Sequence, residues 1–363
     1  LEGSSDVFLK GSNMTSQSDN YPFITVCMPV RNEADFIAET LIQLLTQDYP
    51  ANRFEIIVAD GESSDNTRRI VEIISRKFPQ VLLRNNPKRL SGAGRNVCFA
   101  EGRGDIFLVV DGHCYVPSAN LFKNVVECFE KSDADCLGRA QPLDPPKLTP
   151  FQKAVAAARR SRIGHSSDSL IYSGCEGFVS PRSNGAVYKR SLIEKVGRVD
   201  EAFDACEDVE FNCRVERAGL KTYMSPCLTI KYYPRSNLPA LFKQMVRYGR
   251  GRYRLIAKHP GMFSFNIMVP PLFVIGLFLL PFLLIRGRLP ALAGLGTLGI
   301  YLLMLFGTSI SIALREGAFV LPLLGPIFFT IHAGIGYGFL KEALGCLLNG
   351  WKKCVCRQGR ASA

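Results

Sequence analysis

Three long stretches without charged residues set the strongest limit on how this chain of 363 residues can fold. They run from Phe263 to Ile285, from Leu289 to Leu314 and from Gly317 to Leu340. Each is longer than the roughly 20 apolar residues that a helix needs to cross a bilayer. We therefore predict about three transmembrane helices within residues 263–340. One or two spans with an interfacial or re-entrant piece are the alternative.

The net charge of +12 is concentrated just before the first of these stretches. Clusters of basic residues beside a membrane segment mark its cytoplasmic side and attract anionic head groups. No nucleic-acid recognition motif accompanies the charge, so a nucleic-acid partner is not expected. The basic residues of this cluster are Arg235, Lys243, Arg247, Arg250, Arg252, Arg254 and Lys258.

Composition divides the chain into five parts. Residues 1–20 are rich in Ser, Asn and Gly and are expected to be disordered. We expect a catalytic domain in residues 21–235, a basic amphipathic interface segment in 236–262 and a basic tail in 341–363. Three spans between these parts would place the tail across the membrane from the catalytic domain, against the positive-inside tendency.

The soluble part alternates short apolar runs with segments of helical periodicity. This alternation is typical of an α/β protein with a doubly wound parallel sheet. The spacing predicts strands over Phe23–Met28 (closed by Pro29), Phe54–Ala59 and Val81–Leu83, and helices over Asp35–Gln47, Thr67–Lys77 and Gly92–Glu101.

A fourth predicted strand is followed directly by a carboxylate, a glycine and an imidazole. Five consecutive apolar residues, Ile106 to Val110, indicate a strand buried on both faces, and Asp111, Gly112 and His113 come next. Ligands of open α/β sheets bind at the carboxyl ends of the strands. A divalent cation carrying phosphate oxygens needs one or two carboxylates there, and a histidine can complete the set. The alternative is a polar turn after a strand.

Other polar clusters follow the remaining strands. Arg31 to Glu33 follow the first strand, Asp60 to Asp65 follow the second, and Gly92 to Asn96 open a helix where backbone N–H groups and Arg95 can meet phosphates. Each cluster taken alone has an ordinary loop or cap as its alternative. Together they indicate a nucleotide diphosphate site with a metal.

Glu207 and Asp208 stand side by side at the start of a further predicted helix. Acidic residues at this position are partly explained by the helix dipole. The functional interpretation is that one of them acts as a general base in a cleft.

Taken together, these motifs resemble those of family 2 glycosyltransferases of the GT-A fold, from about Pro22 to Arg254. The motifs that carry the resemblance are residues 29–33, 60–67, 94–96, 111–113 and 207–208. The usual metal motif of the family is DxD. The DxH form found here resembles the motif of membrane-bound enzymes of bacterial exopolysaccharide assembly, the succinoglycan glucosyltransferase type. Tyr232 to Arg235 and Gln244 to Arg252 also look like that branch. Gln244 to Tyr248 are similar to the QxxRW motif of processive synthases.

The resemblance implies a GT-A type mixed or parallel sheet and a role for each matched residue. Asp111 and His113 would hold Mg²⁺ or Mn²⁺ on the donor diphosphate. Asp208, beside Glu207, would take the proton from the acceptor hydroxyl. The residues implied to bind the nucleotide sugar are Pro29, Val30, Arg31 and Glu33 at the nucleoside, Asp60 at the uracil, Arg95 at the base or pyrophosphate, Asp111 through the metal, and Gln244, Arg247 and Tyr248 over the donor or acceptor.

The implied activity is inverting transfer of a sugar, with glucose expected, from a UDP-sugar to a polyprenyl-pyrophosphate saccharide. Such an enzyme would serve exopolysaccharide or cell-surface glycan assembly. It would be a multi-pass protein of the cell inner membrane with its catalytic domain in the cytoplasm. The alternatives are a polyprenyl-phosphate glycosyltransferase, a processive polysaccharide synthase, and a catalytically silent membrane subunit that binds nucleotide sugars.

Overall fold

The computed structural model describes residues 21–165 and 169–349. An eight-stranded mixed sheet with helices on both faces forms the centre of the soluble part, in the order β3-β2-β1-β4-β8-β6-β9-β7. Strands β3, β2, β1 and β4 are mutually parallel, and β8 runs antiparallel to both β4 and β6. The sheet strands are β1 (Ile24–Val30), β2 (Phe54–Asp60), β3 (Val81–Asn85), β4 (Ile106–Val109), β6 (Cys136–Gly138), β7 (Gly177–Val179), β8 (Gly185–Lys189) and β9 (Thr222–Met224).

A separate two-stranded antiparallel ribbon joins β5 (Cys114–Tyr115) to β10 (Lys231–Tyr232). The helices of the soluble part are α1 (Ile37–Leu45), α2 (Thr67–Lys77), α3 (Ser91–Glu101), α4 (Leu121–Ser132), α5 (Pro150–Arg160), α6 (Pro181–Asn184), α7 (Arg190–Val196), α8 (Glu207–Arg217) and α9 (Leu238–Lys258). Helices α1, α2 and α4 enclose one apolar core with the sheet, and α3, α7 and α8 enclose a second.

The predicted α/β sheet is confirmed, with small differences at its boundaries. Strand β1 continues through Pro29, which the sequence analysis placed at its end. Proline is tolerated there because β1 pairs with β4 only as far as Cys27, so at Pro29 only the β2 side is paired, with Ala59. Helix α1 is shorter than expected at both ends, covering Ile37–Leu45.

Three C-terminal helices are long and apolar enough to cross a membrane: α10 (Phe265–Ile285), α11 (Arg288–Glu316) and α12 (Leu321–Asn349). Most side chains of α10 and α11 are exposed, with 11% and 6% of their apolar windows buried, whereas 44% of the window in α12 is buried. Helix α12 also continues nine residues past Leu340, into the region predicted as a tail. The predicted disorder of residues 1–20 and the rest of the tail, residues 350–363, lie outside the described residues.

Helix α12 is more buried than α10 and α11 because two helices of the soluble part pack along it. Apolar residues of α5 and α9 form one core with α11 and α12, including Ala158, Met245, Leu305 and Ile327. The backbones of α9 and α12 approach so closely that a Cβ on Gly338 would lie 2.1 Å from the Val246 carbonyl oxygen. Helix α9, within the interface segment predicted for residues 236–262, is therefore packed against α12.

Four of the basic residues that were expected to contact lipid head groups form ion pairs with carboxylates of the same chain. Arg250 Nε and Arg254 Nε lie 2.8 and 2.7 Å from the carboxylate of Glu342 on α12. Arg247 Nη2 is 3.2 Å from Asp204, and Lys258 Nζ is 2.8 Å from Glu210, which is fully buried. These pairs join α9 to α12 on one side and to the region of α8 on the other.

Candidate active site

A cavity of about 1710 Å³ opens at the carboxyl ends of β1 and β4. Its walls come from the loops after these strands, the starts of α3 and α8, helix α9 and the membrane-type helices. Twelve of the thirteen predicted site residues line it. They are Pro29, Val30, Arg31, Glu33, Arg95, Asp111, His113, Glu207, Asp208, Gln244, Arg247 and Tyr248.

Asp60 is the predicted site residue that does not line this cavity. Its side chain is almost fully buried, and its carboxylate accepts a 2.5 Å hydrogen bond from the Ser63 hydroxyl. The turn that Asp60 holds is tied to the first loop, because the Ser64 N–H donates to the Asn32 side-chain oxygen at 2.8 Å. Asp60 thus stabilises the turn that contacts the loop after β1, and its contact with a base stays a prediction.

His113 and Glu33 form a close pair on one wall of the cavity. His113 Nδ1 lies 2.9 Å from Glu33 Oε1, and because an ionised carboxylate only accepts hydrogen bonds, Nδ1 carries the proton. Burial alone would lower the pKa of His113, but the carboxylates of Glu33 and Asp111 outweigh it and raise the pKa. The contact fixes the orientation of the imidazole, and Nε2 can coordinate a cation once the ring is in its neutral form.

Gly112 explains why the Asp111–His113 turn has this sequence. A Cβ at Gly112 would lie 2.9 Å from Cγ of Glu33, closer than real Cβ atoms approach. Only glycine therefore lets the Glu33 side chain cross the turn to reach His113.

Asp111 and His113 form a partial donor set for a divalent cation. Within residues 21–165 and 169–349 no three His, Cys, Asp or Glu side chains converge as a complete metal site. Magnesium sites often use one or two protein ligands and draw the remaining oxygens from substrate phosphates and water. A carboxylate and an oriented imidazole in a cavity large enough for a nucleotide diphosphate fit a cation bound in that way.

Glu207 and Asp208 also line the cavity, and their environments differ. Glu207 is buried, 3.4 Å from the guanidinium of Arg95, and burial raises its pKa although Arg95 opposes the shift. Asp208 is exposed to the cavity, and its carboxylate accepts a hydrogen bond from the Val209 N–H at 2.8 Å. Asp208 is thus the carboxylate that an acceptor in the cavity can reach.

Arg95 feels the charges of both acidic groups, Glu207 with Asp208 and Asp111. Its guanidinium is buried; burial alone would lower its pKa, but the carboxylates of Glu207, Asp208 and Asp111 outweigh that effect and raise it. Its Nε has no hydrogen-bond partner among the described residues. A permanently charged donor between two acidic clusters is well placed to bind phosphate oxygens.

The backbone before α8 is held in an unusual conformation. Cys206 has φ of +63°, a left-handed value that is uncommon for a residue other than glycine. Gly251 of α9 packs against this turn, since a Cβ there would lie 2.4 Å from the Ala205 carbonyl oxygen. Helix α9 therefore sets the position at which Glu207 and Asp208 enter the cavity.

Known proteins resemble this chain in sequence and in fold. The family model named Glycosyl transferase family 2 matches residues 25–197. The "Succinoglycan biosynthesis protein ExoA" of Rhizobium meliloti is 33% identical over 247 residues, which cover 68% of this chain and 73% of that protein. The chain belongs to glycosyl transferase family 2.

Two further similarities extend over most of this family 2 glycosyltransferase. A Methanococcus voltae protein named "Dolichyl N-acetyl-alpha-D-glucosaminyl phosphate 3-beta-D-2,3-diacetamido-2,3-dideoxy-beta-D-glucuronosyltransferase" is 28% identical over 88% of this chain and 96% of its own length. The mannosyltransferase PcManGT from Pyrobaculum calidifontis, solved in complex with GDP-Man and Mn²⁺, aligns with a TM-score of 0.59. It is 19% identical, with 89% of this chain and 87% of that chain covered, and it shows the GT-A fold.

The sequence analysis missed the part of the glycosyltransferase cavity nearest the membrane-type helices. Arg159, Arg162, His165 and Tyr172 line it, together with Arg252 of α9. Except for Arg252, which the sequence analysis placed in the basic cluster before the first apolar stretch, they belong to no motif, and α5 carries Arg159 on its buried face. The run of basic residues at the end of α5 was the one signal in the sequence that could have indicated them.

Proposed function

We propose that this glycosyltransferase transfers a hexose, with glucose expected, from a UDP-sugar to a lipid-linked saccharide with inversion at the anomeric carbon. The observation that carries the proposal is the cavity itself. Asp111 and His113 line one wall, Asp208 lines another, and the space continues to helices α10–α12. A donor diphosphate and an acceptor hydroxyl can therefore meet in one cavity beside a membrane.

The chemistry proposed for the chain's own residues is a single displacement. Asp208 accepts the proton of the acceptor hydroxyl while that oxygen forms a bond to the anomeric carbon and the bond to the UDP oxygen breaks. Arg95 donates hydrogen bonds to the phosphate oxygens, and Glu207 keeps the Arg95 guanidinium in place. One base without an enzyme nucleophile gives inversion.

A divalent cation, Mg²⁺ or Mn²⁺, held by Asp111 and His113 would neutralise charge on the departing diphosphate. Support comes from the donor set described above and from PcManGT, whose structure holds Mn²⁺ with GDP-Man. Glu33 would orient His113 for this role. Pro29, Val30 and Arg31 would border the nucleoside.

The acceptor is proposed to be a polyprenyl-pyrophosphate saccharide of exopolysaccharide or cell-surface glycan assembly. The similarity to a succinoglycan biosynthesis protein supports this choice. We place the enzyme in the cell inner membrane with its catalytic domain cytoplasmic, where UDP-sugars are made. Gln244, Arg247 and Tyr248 of α9 would guide the acceptor or close over the donor.

A polyprenyl-monophosphate saccharide is the second candidate acceptor. The name of the Methanococcus voltae relative specifies a dolichyl-linked sugar phosphate, and its similarity covers more of this chain. Both candidates would receive the sugar from the same kind of donor. They differ in whether the acceptor lipid carries two phosphates or one.

The decisive experiment uses the purified full-length protein with a panel of UDP- and GDP-sugars, each with and without Mn²⁺. Short-chain prenyl diphosphate and monophosphate sugars serve as acceptors. We expect one UDP-hexose to be used, one sugar to be added per acceptor, and activity to disappear after exhaustive chelation. Transfer from GDP-sugars alone, or long products from a single acceptor, would reject the proposal.

A further inference from the structure

Three arginines line the part of the cavity nearest the membrane-type helices. Arg159 is buried on α5, Arg162 follows the end of that helix, and Arg252 projects from α9. Among the described residues, no carboxylate lies within 4.0 Å of these three guanidinium groups. Their α9 neighbours Arg250 and Arg254 behave differently, since both pair with Glu342.

The surroundings of these arginines are aromatic and positively charged. The Arg159 guanidinium lies over the Tyr248 ring, 5.6 Å from its centroid, and the His165 ring is 5.0 Å from that of Tyr172. Burial, followed by the charges of Arg159 and Arg252, lowers the pKa of His165 to about 3, which keeps this imidazole neutral. Tyr172 and Tyr248 hydrogen-bond to the Arg159 guanidinium and raise its pKa against the effect of burial, but no carboxylate balances its charge, so an anionic ligand would be favoured here.

The same cavity continues along an apolar surface. Val269, Pro270 and Phe273 of α10, Met304 of α11 and Ile335 of α12 line it. Two hydrogen bonds join this surface to the arginine cluster: His332 Nε2 lies 2.8 Å from the Ile163 carbonyl oxygen, and Tyr301 Oη lies 2.9 Å from His332 Nδ1. A ligand that fills both parts has an anionic group directly attached to a long apolar chain.

We propose that Arg159, Arg162 and Arg252 bind the phosphate group of the lipid acceptor, with its hydrocarbon chain along the α10–α12 surface. The inference rests on the proposed function and assigns the acceptor a site distinct from the Asp111–His113 end of the cavity. Arg252 is close enough to Cys206 for its charge to oppose the rise in that thiol's pKa that burial causes. Since Cys206 directly precedes Glu207 and Asp208, the saccharide beyond the phosphate lies beside the proposed base.

The test measures binding to the full-length protein in detergent by isothermal titration calorimetry. The probes are farnesyl diphosphate, farnesol, inorganic diphosphate and UDP. We expect farnesyl diphosphate to bind at least about tenfold more tightly than farnesol or inorganic diphosphate, because each of these occupies only one part of the site. Arg159→Gln should weaken farnesyl diphosphate about tenfold or more and leave UDP within about twofold.

Arg160→Gln is the matched control, because Arg160 is the next residue on α5 and is exposed outside the cavity. It should bind all four probes as the wild type does. Arg162→Gln serves as the second test variant, since Arg162 is exposed and its loss leaves the packing of α5 intact. Unchanged farnesyl diphosphate binding in both test variants, or a selective loss of UDP binding, would overturn the site.

Transfer assays separate this inference from the function on which it rests. If the wild type glycosylates a prenyl diphosphate sugar and Arg159→Gln has the same KM for that acceptor, the site is wrong and the function stands. If the wild type transfers no sugar to such lipids while farnesyl diphosphate binding depends on Arg159, the proposed acceptor is wrong and the lipid-phosphate site stands.

Discussion

Glu33 orients the imidazole of His113, so its removal should affect cation binding more than nucleotide binding. The Glu33→Gln variant keeps the size of the side chain but loses the ionised acceptor 2.9 Å from Nδ1. Loss of a carboxylate that orients a metal-binding histidine typically costs about 10–100-fold in metal affinity or activity. We expect the Mn²⁺ concentration for half-maximal activity to rise by about that factor, measured by metal titration after chelation.

Glu39→Gln is the control for this prediction, because Glu39 lies on the exposed face of α1 and hydrogen-bonds to Gln43. Its metal requirement should match that of the wild type. A normal Mn²⁺ requirement in Glu33→Gln would argue against His113 as a metal ligand.

Asp208 is expected to act in the chemical step and to contribute little to donor binding. Replacing it with Asn removes the proton acceptor, and general-base catalysis typically contributes about 10²–10⁴-fold. We predict that Asp208→Asn lowers kcat by at least about 10²-fold and leaves the Kd for the UDP-sugar within about threefold. Single-turnover transfer and calorimetry measure the two quantities. Near-normal turnover would remove Asp208 from this role.

Asp133→Asn provides the comparison for Asp208→Asn. Asp133 is exposed at the end of α4 with φ of +49°, a conformation that Asn also tolerates. This variant should keep wild-type kcat and donor affinity, which excludes a general effect of removing one carboxylate.

The sequence predicted nearly all of these polar residues and few of their contacts. Asp111, His113 and Asp208 follow strands or open helices, so local patterns indicate their positions in an α/β sheet. The pairing of Glu33 with His113 joins loops 80 residues apart and depends on the space left by Gly112. The buried position of Asp60 likewise depends on how its turn packs, which a motif does not encode.

At the scale of elements, the close packing of α9 on α12 stabilises the side of the cavity that α9 forms. A Cβ on Gly338 would lie 2.1 Å from a backbone oxygen of α9, which a side-chain rotation cannot relieve. We therefore predict that Gly338→Ala destabilises the protein by about 1–3 kcal/mol, as overpacking typically does. Thermal unfolding in detergent, followed by circular dichroism at 222 nm, measures the change.

Gly325→Ala on the same helix is the matched control, since nothing lies within 4 Å of a Cβ there. This change should be neutral or stabilise by up to about 1 kcal/mol, because alanine favours helix. Equal melting temperatures for Gly338→Ala and Gly325→Ala would contradict the close packing. The sequence analysis of residues 236–262 did not include this packing. Basic residues indicate a surface, but they do not show which acidic residues will pair with them.

At the scale of the whole molecule, α12 lies against α5 of the catalytic domain near its start and against α9 toward its other end. Near its start, the Lys153 ammonium of α5 lies 6.0 Å from the Phe319 ring centroid. Toward its other end, Glu342 pairs with Arg250 and Arg254 of α9. A helix that crossed a bilayer would carry one end about 30 Å away from the catalytic side. We infer that α10 and α11 span the membrane and that α12 lies at its cytoplasmic surface.

Two spans also bring the charge pattern into agreement with the positive-inside tendency. In that arrangement the chain returns after α10 and α11 to the side on which it started, so the basic tail predicted after α12 would be expected on the cytoplasmic side. The sequence alone left this open, because α12 is as long and apolar as a spanning helix and only its packing on α5 and α9 distinguishes it.

Protease accessibility in oriented membrane vesicles tests this topology. One variant carries a protease site inserted at Gly287, between α10 and α11, and the other carries it after Ala363. In inside-out vesicles, which expose the cytoplasmic surface, we expect cleavage after Ala363 and protection at Gly287, with the reverse in right-side-out vesicles. Three spans would place both sites on the same, non-cytoplasmic side. Cleavage of both variants in right-side-out vesicles alone would therefore reject the two-span arrangement, because α12 could reach that side only by crossing the bilayer.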